Sequence, residues 1–228
     1  MESQRLTIDV GAGHCVSALL DRPTRARALL VLAHGAGAGM EHPSVQAIAA
    51  GLTERAIATL RYQVPYMEKR SRRPDPPALC HATVRAAVAQ AAHLAPDLPL
   101  IAGGRSFGGR MASQAQAQAP LRGVRGLVFL AFPLHPAGRP GKDRAAHLQD
   151  VGIPMLFIQG SRDDLADAGL LRTVVEGLGS RATLHMLESA DHSFHVPARS
   201  GRKDLDVRAD ALNAVCGWVD RLLSARAS

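Results

Sequence analysis

Gly104-Arg105-Ser106-Phe107-Gly108 has the spacing Gly-x-Ser-x-Gly, and a serine held there is a candidate nucleophile. The pattern alone is short, so its setting carries the weight. It follows an apolar run, Leu98 to Ala102, that predicts a strand. It opens a stretch, Phe107 to Ala119, that predicts a helix. On such a tight strand-to-helix turn the hydroxyl stands above the sheet edge, and the start of the helix offers unpaired N–H groups to a developing oxyanion. A serine needs a base, and the base needs an acid to orient it. For a nucleophile on this kind of turn the chain order is serine, acid, histidine. The acid is expected just past the strand Ile153 to Gln159, in Gly160-Ser161-Arg162-Asp163-Asp164. Asp163 is the candidate there and Asp164 the alternative. The base is expected after the strand Ala182 to Leu187, where His192 is the candidate and His195 the alternative. For the oxyanion the candidate donors are the N–H of Phe107 and that of Ala36, with Gly37 as the alternative, in the glycine-rich His34-Gly35-Ala36-Gly37-Ala38-Gly39 that follows another strand.

Positioning three distant side chains at one edge requires a parallel arrangement of strands, and the rest of the chain predicts one. Leu6 to Val10 and Cys15 to Leu20 flank Gly11-Ala12-Gly13 and predict a hairpin. Ala28 to Ala33 is an unbroken apolar run, as suits a strand covered on both faces. Val45 to Arg55 has helical spacing, Ala56 to Tyr62 reads as a strand and Cys80 to Ala95 as an Ala-rich helix. Val124 to Phe132 adds a strand, Leu165 to Leu178 a helix and Leu205 to Leu223 a closing amphipathic helix. This alternation predicts an α/β fold with a mostly parallel central sheet and helices on both faces. The segments 67–77 and 133–141 read as loops too short to form a cap, so residues 1–228 are expected to be a single domain.

The motifs HGAGAGM (34–40), RYQVPYM (61–67), GGRSFGGRMAS (103–113), GSRDD (160–164) and ADHSFH (190–195) together resemble the α/β-hydrolase superfamily. Within it, the chain looks like the small capless group close to the dienelactone hydrolases. Those enzymes carry a cysteine nucleophile where this chain carries Ser106. The resemblance implies a serine hydrolase acting on a small ester or related acyl compound, without a cofactor. It also leaves two alternatives open: a non-catalytic interaction module that kept the fold, and an acyltransferase.

Other signals point elsewhere only weakly. Gly35-x-Gly37-x-Gly39 lacks the further glycine of a dinucleotide loop, since Met40 follows, and Arg61 stands where an acidic ribose partner belongs. Arg110-Met111 replaces the Lys-Ser/Thr pair of a phosphate loop. His192 and His195 have no third residue at a usable metal-ligand spacing, so no metal is expected. Three scattered cysteines suit a reducing compartment, and a cytoplasmic location is expected. No apolar run is long enough to cross a bilayer, and neither a membrane nor a nucleic acid is expected as partner. The net charge is +7, and the densest basic cluster is Lys69-Arg70-Ser71-Arg72-Arg73, in a loop that should emerge at the serine's edge of the sheet. Arg72 and Arg73 are therefore candidate substrate-binding residues that would draw an anionic acyl substrate. Oligomeric state is not legible.

Overall fold

A computed structural model of the chain describes residues 3–71 and 73–225. Eight strands form one sheet. They are β1 (Gln4–Gly11), β2 (His14–Asp21), β3 (Ala28–Ala33), β4 (Ile57–Tyr62), β5 (Leu100–Arg105), β6 (Val124–Leu130), β7 (Met155–Gly160) and β8 (Ala182–Leu187). Their order across the sheet is β1-β2-β4-β3-β5-β6-β7-β8. β2 runs antiparallel to both β1 and β4, and every pair from β4 to β8 is parallel. The predicted α/β architecture is the observed one, and six strands present their C-terminal ends at one edge.

Burial explains why the strand runs were legible. β3, β4, β5 and β7 are buried at every position, as strands covered on both faces must be. One face is covered by α1 (Pro43–Thr53) and α6 (Asp204–Ser224), through Val45, Ile48, Leu52, Val215 and Trp218. The other is covered by α3 (Pro77–Leu94), α4 (Phe107–Gln118) and α5 (Ala168–Leu178), through Val84, Val88, Met111, Ala115 and Leu171. A one-turn helix, α2 (Pro65–Glu68), follows β4. The 131–154 connection holds a 3-10 helical segment, Asp143–Asp150, that packs on α4, and no separate lid. No helix among the described residues is long and apolar enough to cross a membrane.

Among the boundaries that depart from expectation, three have a plain physical reason. β5 does not stop at Ala102 but continues through Gly103 and Gly104 to Arg105, because flanking strands press in on both glycines. α3 begins at Pro77, three residues before Cys80, with the proline at the first helical position where its missing N–H costs nothing. α5 begins at Ala168 rather than Leu165. Its N-cap is Asp167, whose carboxylate accepts from the Leu170 N–H at 2.8 Å, and neither Asp163 nor Asp164 caps it.

Candidate active site

Ser106 sits between β5 and α4 at φ 49° and ψ −117°, a strained conformation for a residue with a side chain. The turn is possible because the neighbours on either side are glycines. A Cβ on Gly104 would lie 2.3 Å from the Ala33 carbonyl oxygen, and one on Gly108 would lie 2.5 Å from that of His34. The strand after the turn holds the elbow down: the Ser106 N–H donates to the Leu130 carbonyl at 2.9 Å.

The Ser106 hydroxyl is 2.9 Å from Nε2 of His192, and Nδ1 of that imidazole is 2.7 Å from Oδ2 of Asp163. An ionised carboxylate can only accept, so the Asp163 contact fixes the proton on Nδ1 and leaves Nε2 free to receive one from the serine. The Asp163 side chain is fully enclosed, yet each oxygen is satisfied. Oδ1 accepts from the Leu165 N–H at 2.8 Å, and Oδ2 accepts from Gln159 Nε2 at 2.5 Å as well as from His192. Gln159 is itself buried and is held by the Phe132 N–H, which donates to its Oε1 at 2.8 Å.

Phe107 is the first residue of α4, so its N–H has no acceptor within the helix. The segment 34–39 leaves the end of β3 beside it. Three side chains brace that segment. The His34 ring is buried, and burial pushes its pKa down. Its Nε2 accepts from the Val64 N–H at 3.1 Å, so Nδ1 carries the proton that meets the Gly35 carbonyl at 2.8 Å. The Tyr66 hydroxyl donates to the Ala36 carbonyl at 2.7 Å. Burial, helped by Cys80 and Asp75, pushes that phenol up to about 12, so it stays a donor at neutral pH. Gln63 Oε1 accepts from the Met40 N–H at 2.9 Å. The Tyr66 ring also meets Phe107 edge-on at 6.4 Å between centroids.

Ser106, His192 and Asp163 are thus brought together by the ends of β5, β8 and β7. Asp164 is exposed and takes no part in this chain of hydrogen bonds. His195 is directed away, with its Nδ1 2.9 Å from an Asp204 carboxylate oxygen at the start of α6. Arg72 lies outside the described residues. Arg73 is exposed and lines a hollow of about 610 Å³ with Tyr66, Lys69 and Asp75, and no hydrogen bond joins its side chain to Ser106, His192 or Asp163. Sequence reasoning passed over Gln159, and it carried His34, Gln63 and Tyr66 only within the motifs HGAGAGM and RYQVPYM, with no role assigned. The available signal was a polar residue closing an otherwise apolar strand, as Gln159 does in MLFIQG.

Residues 26–220 match the profile of a family described as an alpha/beta hydrolase domain. Among solved structures, the chain is similar to an alpha-beta serine hydrolase homologue from Coxiella burnetii, with 20% identity, coverage of 94% of this chain and 98% of that one, and a TM-score of 0.74. It is similar to a dienelactone hydrolase from Anabaena variabilis, with 21% identity, 98% and 97% coverage and a TM-score of 0.74. It is also similar to an α/β serine hydrolase without lid from Xanthomonas campestris, with 25% identity, 95% coverage of each chain and a TM-score of 0.73.

Proposed function

The chain belongs to the alpha/beta hydrolase domain family, and from that premise we propose that it is a serine esterase cleaving small acyl esters through a covalent acyl-enzyme. The observation that carries this reading is the continuous hydrogen-bonded path from Ser106 through His192 to Asp163, at 2.9 and 2.7 Å. Ser106 Oγ attacks the acyl carbonyl as its proton passes to His192 Nε2. Asp163 stabilises the imidazolium that forms. The Phe107 and Ala36 N–H groups receive the oxyanion of the tetrahedral intermediate. His192 then protonates the leaving alcohol. Water, activated by the same imidazole, attacks the acyl carbon and frees Ser106. Residues 1–228 act as one unit in this reading, and no cofactor takes part.

That no separate lid stands among the described residues supports small or flexible substrates reaching the half-buried serine. The hollow beside Tyr66 supports a role for Arg73, with Arg72, in drawing anionic acyl chains towards the site by long-range attraction. Turnover of neutral and carboxylate-bearing p-nitrophenyl esters of graded length, by wild type and by Ser106→Ala, tests the reading. Hydrolysis by wild type and a fall of about 10⁴-fold in Ser106→Ala are expected. Equal activity in the two proteins would refute it. Folded wild type inert to the whole panel would favour a non-catalytic binding module.

A further inference from the structure

Arg105 immediately precedes the nucleophile, and none of the steps above uses it. Its side chain is buried, at 9% exposure for the residue, and a charge in such a place is costly unless it is compensated. Three kinds of contact compensate it. Nη2 donates to the His192 carbonyl at 2.7 Å, the guanidinium lies 5.3 Å from the centroid of the Phe194 ring, and the carboxylates of Asp163 and Asp191 favour its charge.

The segment that Arg105 grips is the one that carries the base. Residues 190–195 form a tight turn closed on itself. The Asp191 N–H donates to the His195 carbonyl and the Phe194 N–H to the Asp191 carbonyl. Asp191 Oδ1 accepts from the N–H groups of Ser193 and His195. Phe194 holds φ at +63°, which a bulky residue adopts only under constraint from its surroundings. Hydrogen bonds tie this turn to β8 and to the segment after β7, through Ala190 N–H to Leu187 and Arg162 N–H to Ala190. Among the described residues, only two hydrogen bonds tie it to the nucleophile's own turn. One is the Ser106–His192 contact that must break and re-form in every turnover, and the other is the one from Arg105.

We propose that Arg105 is a positioning residue, a strut that fixes the backbone of His192 relative to Ser106 so that Nε2 stays within reach of Oγ throughout the cycle. The proposal rests on the esterase reading for its kinetic consequence, but the strut itself is a statement about His192. A misplacement of about 1 Å at a catalytic group can cost about 100-fold in rate.

The test compares wild type with Arg105→Met, which keeps the stem and removes the donor, and Arg105→Lys, which keeps a charge and a donor. Phe194→Leu, which removes only the ring, is the second route. Three readouts are taken: kcat and KM on a neutral p-nitrophenyl ester, thermal midpoint, and the downfield proton NMR signal of the His192 Nδ1–H held by Asp163. Arg105→Met is expected to lower kcat by about 10- to 100-fold with KM within about threefold, and to broaden or abolish the downfield signal. Arg105→Lys should recover part of both, and Phe194→Leu should fall between. A folded Arg105→Met with unchanged kcat and an unchanged signal overturns the proposal, and so does a change confined to KM. If Arg105→Met does not fold, an unaltered kcat and signal in Phe194→Leu overturn it instead. A wild type inert to every ester would fail the esterase reading and leave the NMR comparison to decide the strut.

Discussion

Asp163 shows how far a single side chain depends on its immediate partners. Its carboxylate is enclosed, so its capacity to orient His192 rests on Gln159 and the Leu165 N–H holding it in one rotamer. Replacing Gln159 by Leu removes one of those donors and strands the buried Phe132 N–H, a loss of about 1–3 kcal/mol. Gln159→Leu is therefore expected to lower the urea midpoint and to reduce kcat more than it changes KM. Steady-state kinetics beside a denaturation curve check this, and an unchanged kcat in folded protein would show that the acid needs no such support. Ser106, Asp163 and His192 were identifiable as candidates in the sequence because each follows the C-terminal end of a parallel strand, where local pattern and chemistry coincide. Gln159, Tyr66 and Arg105 were not, because each acts only through contacts that no motif encodes: Gln159 joins Asp163 to the Phe132 N–H, Tyr66 reaches back to Ala36, and Arg105 reaches the His192 carbonyl.

Among the elements, the 3-10 segment Asp143–Asp150 was the hardest to foresee. DRAAHLQD is polar and buries only Ala145 and Leu148, too few to set a period. What fastens it to α4 is a polar contact. Ser113 Oγ donates to the Arg110 carbonyl at 2.9 Å, so His147 Nε2, 2.7 Å away, must donate to the hydroxyl. Burial, with Arg110 and His81 adding repulsion, pushes His147 down to about 4. A histidine whose folded pKa lies below its unfolded value near 6.5 binds its proton more readily when unfolded. Its neutral form thus contributes stability that is complete above about pH 6.5, declines as pH falls, and is gone below about pH 4. Partial exposure of the ring screens the effect, so the loss is about 1–2 kcal/mol. His147→Gln keeps a side-chain N–H for Ser113 and removes the titration. Its stability should fall less than that of wild type between pH 7 and pH 4.5, by about 1 kcal/mol in urea titrations. Parallel curves would contradict this. β3, an unbroken apolar run, and the less apolar β8 both matched their expected limits, whereas elements bounded by proline, glycine or an Asp cap shifted by two or three residues.

For the molecule as a whole, two cores on opposite faces of one sheet divide the work. The face covered by α3 and α4 carries the nucleophile's helix, and the face covered by α1 and α6 closes the molecule behind it. Trp218 anchors the second face. It is 5% exposed, and a Cβ on Gly126 of β6 would come within 2.5 Å of its ring. Trp218→Ala should cost about 3–5 kcal/mol while leaving kcat per folded molecule nearly unchanged, because α6 meets the sheet away from Ser106. Circular dichroism during thermal melting reads the first quantity and kinetics below the transition the second. A comparable loss of kcat at full folding would mean that the two faces are coupled. The fold class was legible from strand–helix alternation, but the crossing of β3 and β4 in the sheet was not, since strand adjacency leaves no mark in a one-dimensional pattern. The most direct measurement of the central claim is peptide mapping after treatment with a fluorophosphonate probe. The account predicts one stable adduct on Ser106, formed rapidly in wild type and at least about 100-fold more slowly in His192→Asn. A folded wild-type protein that takes no label, or takes it elsewhere, would contradict it.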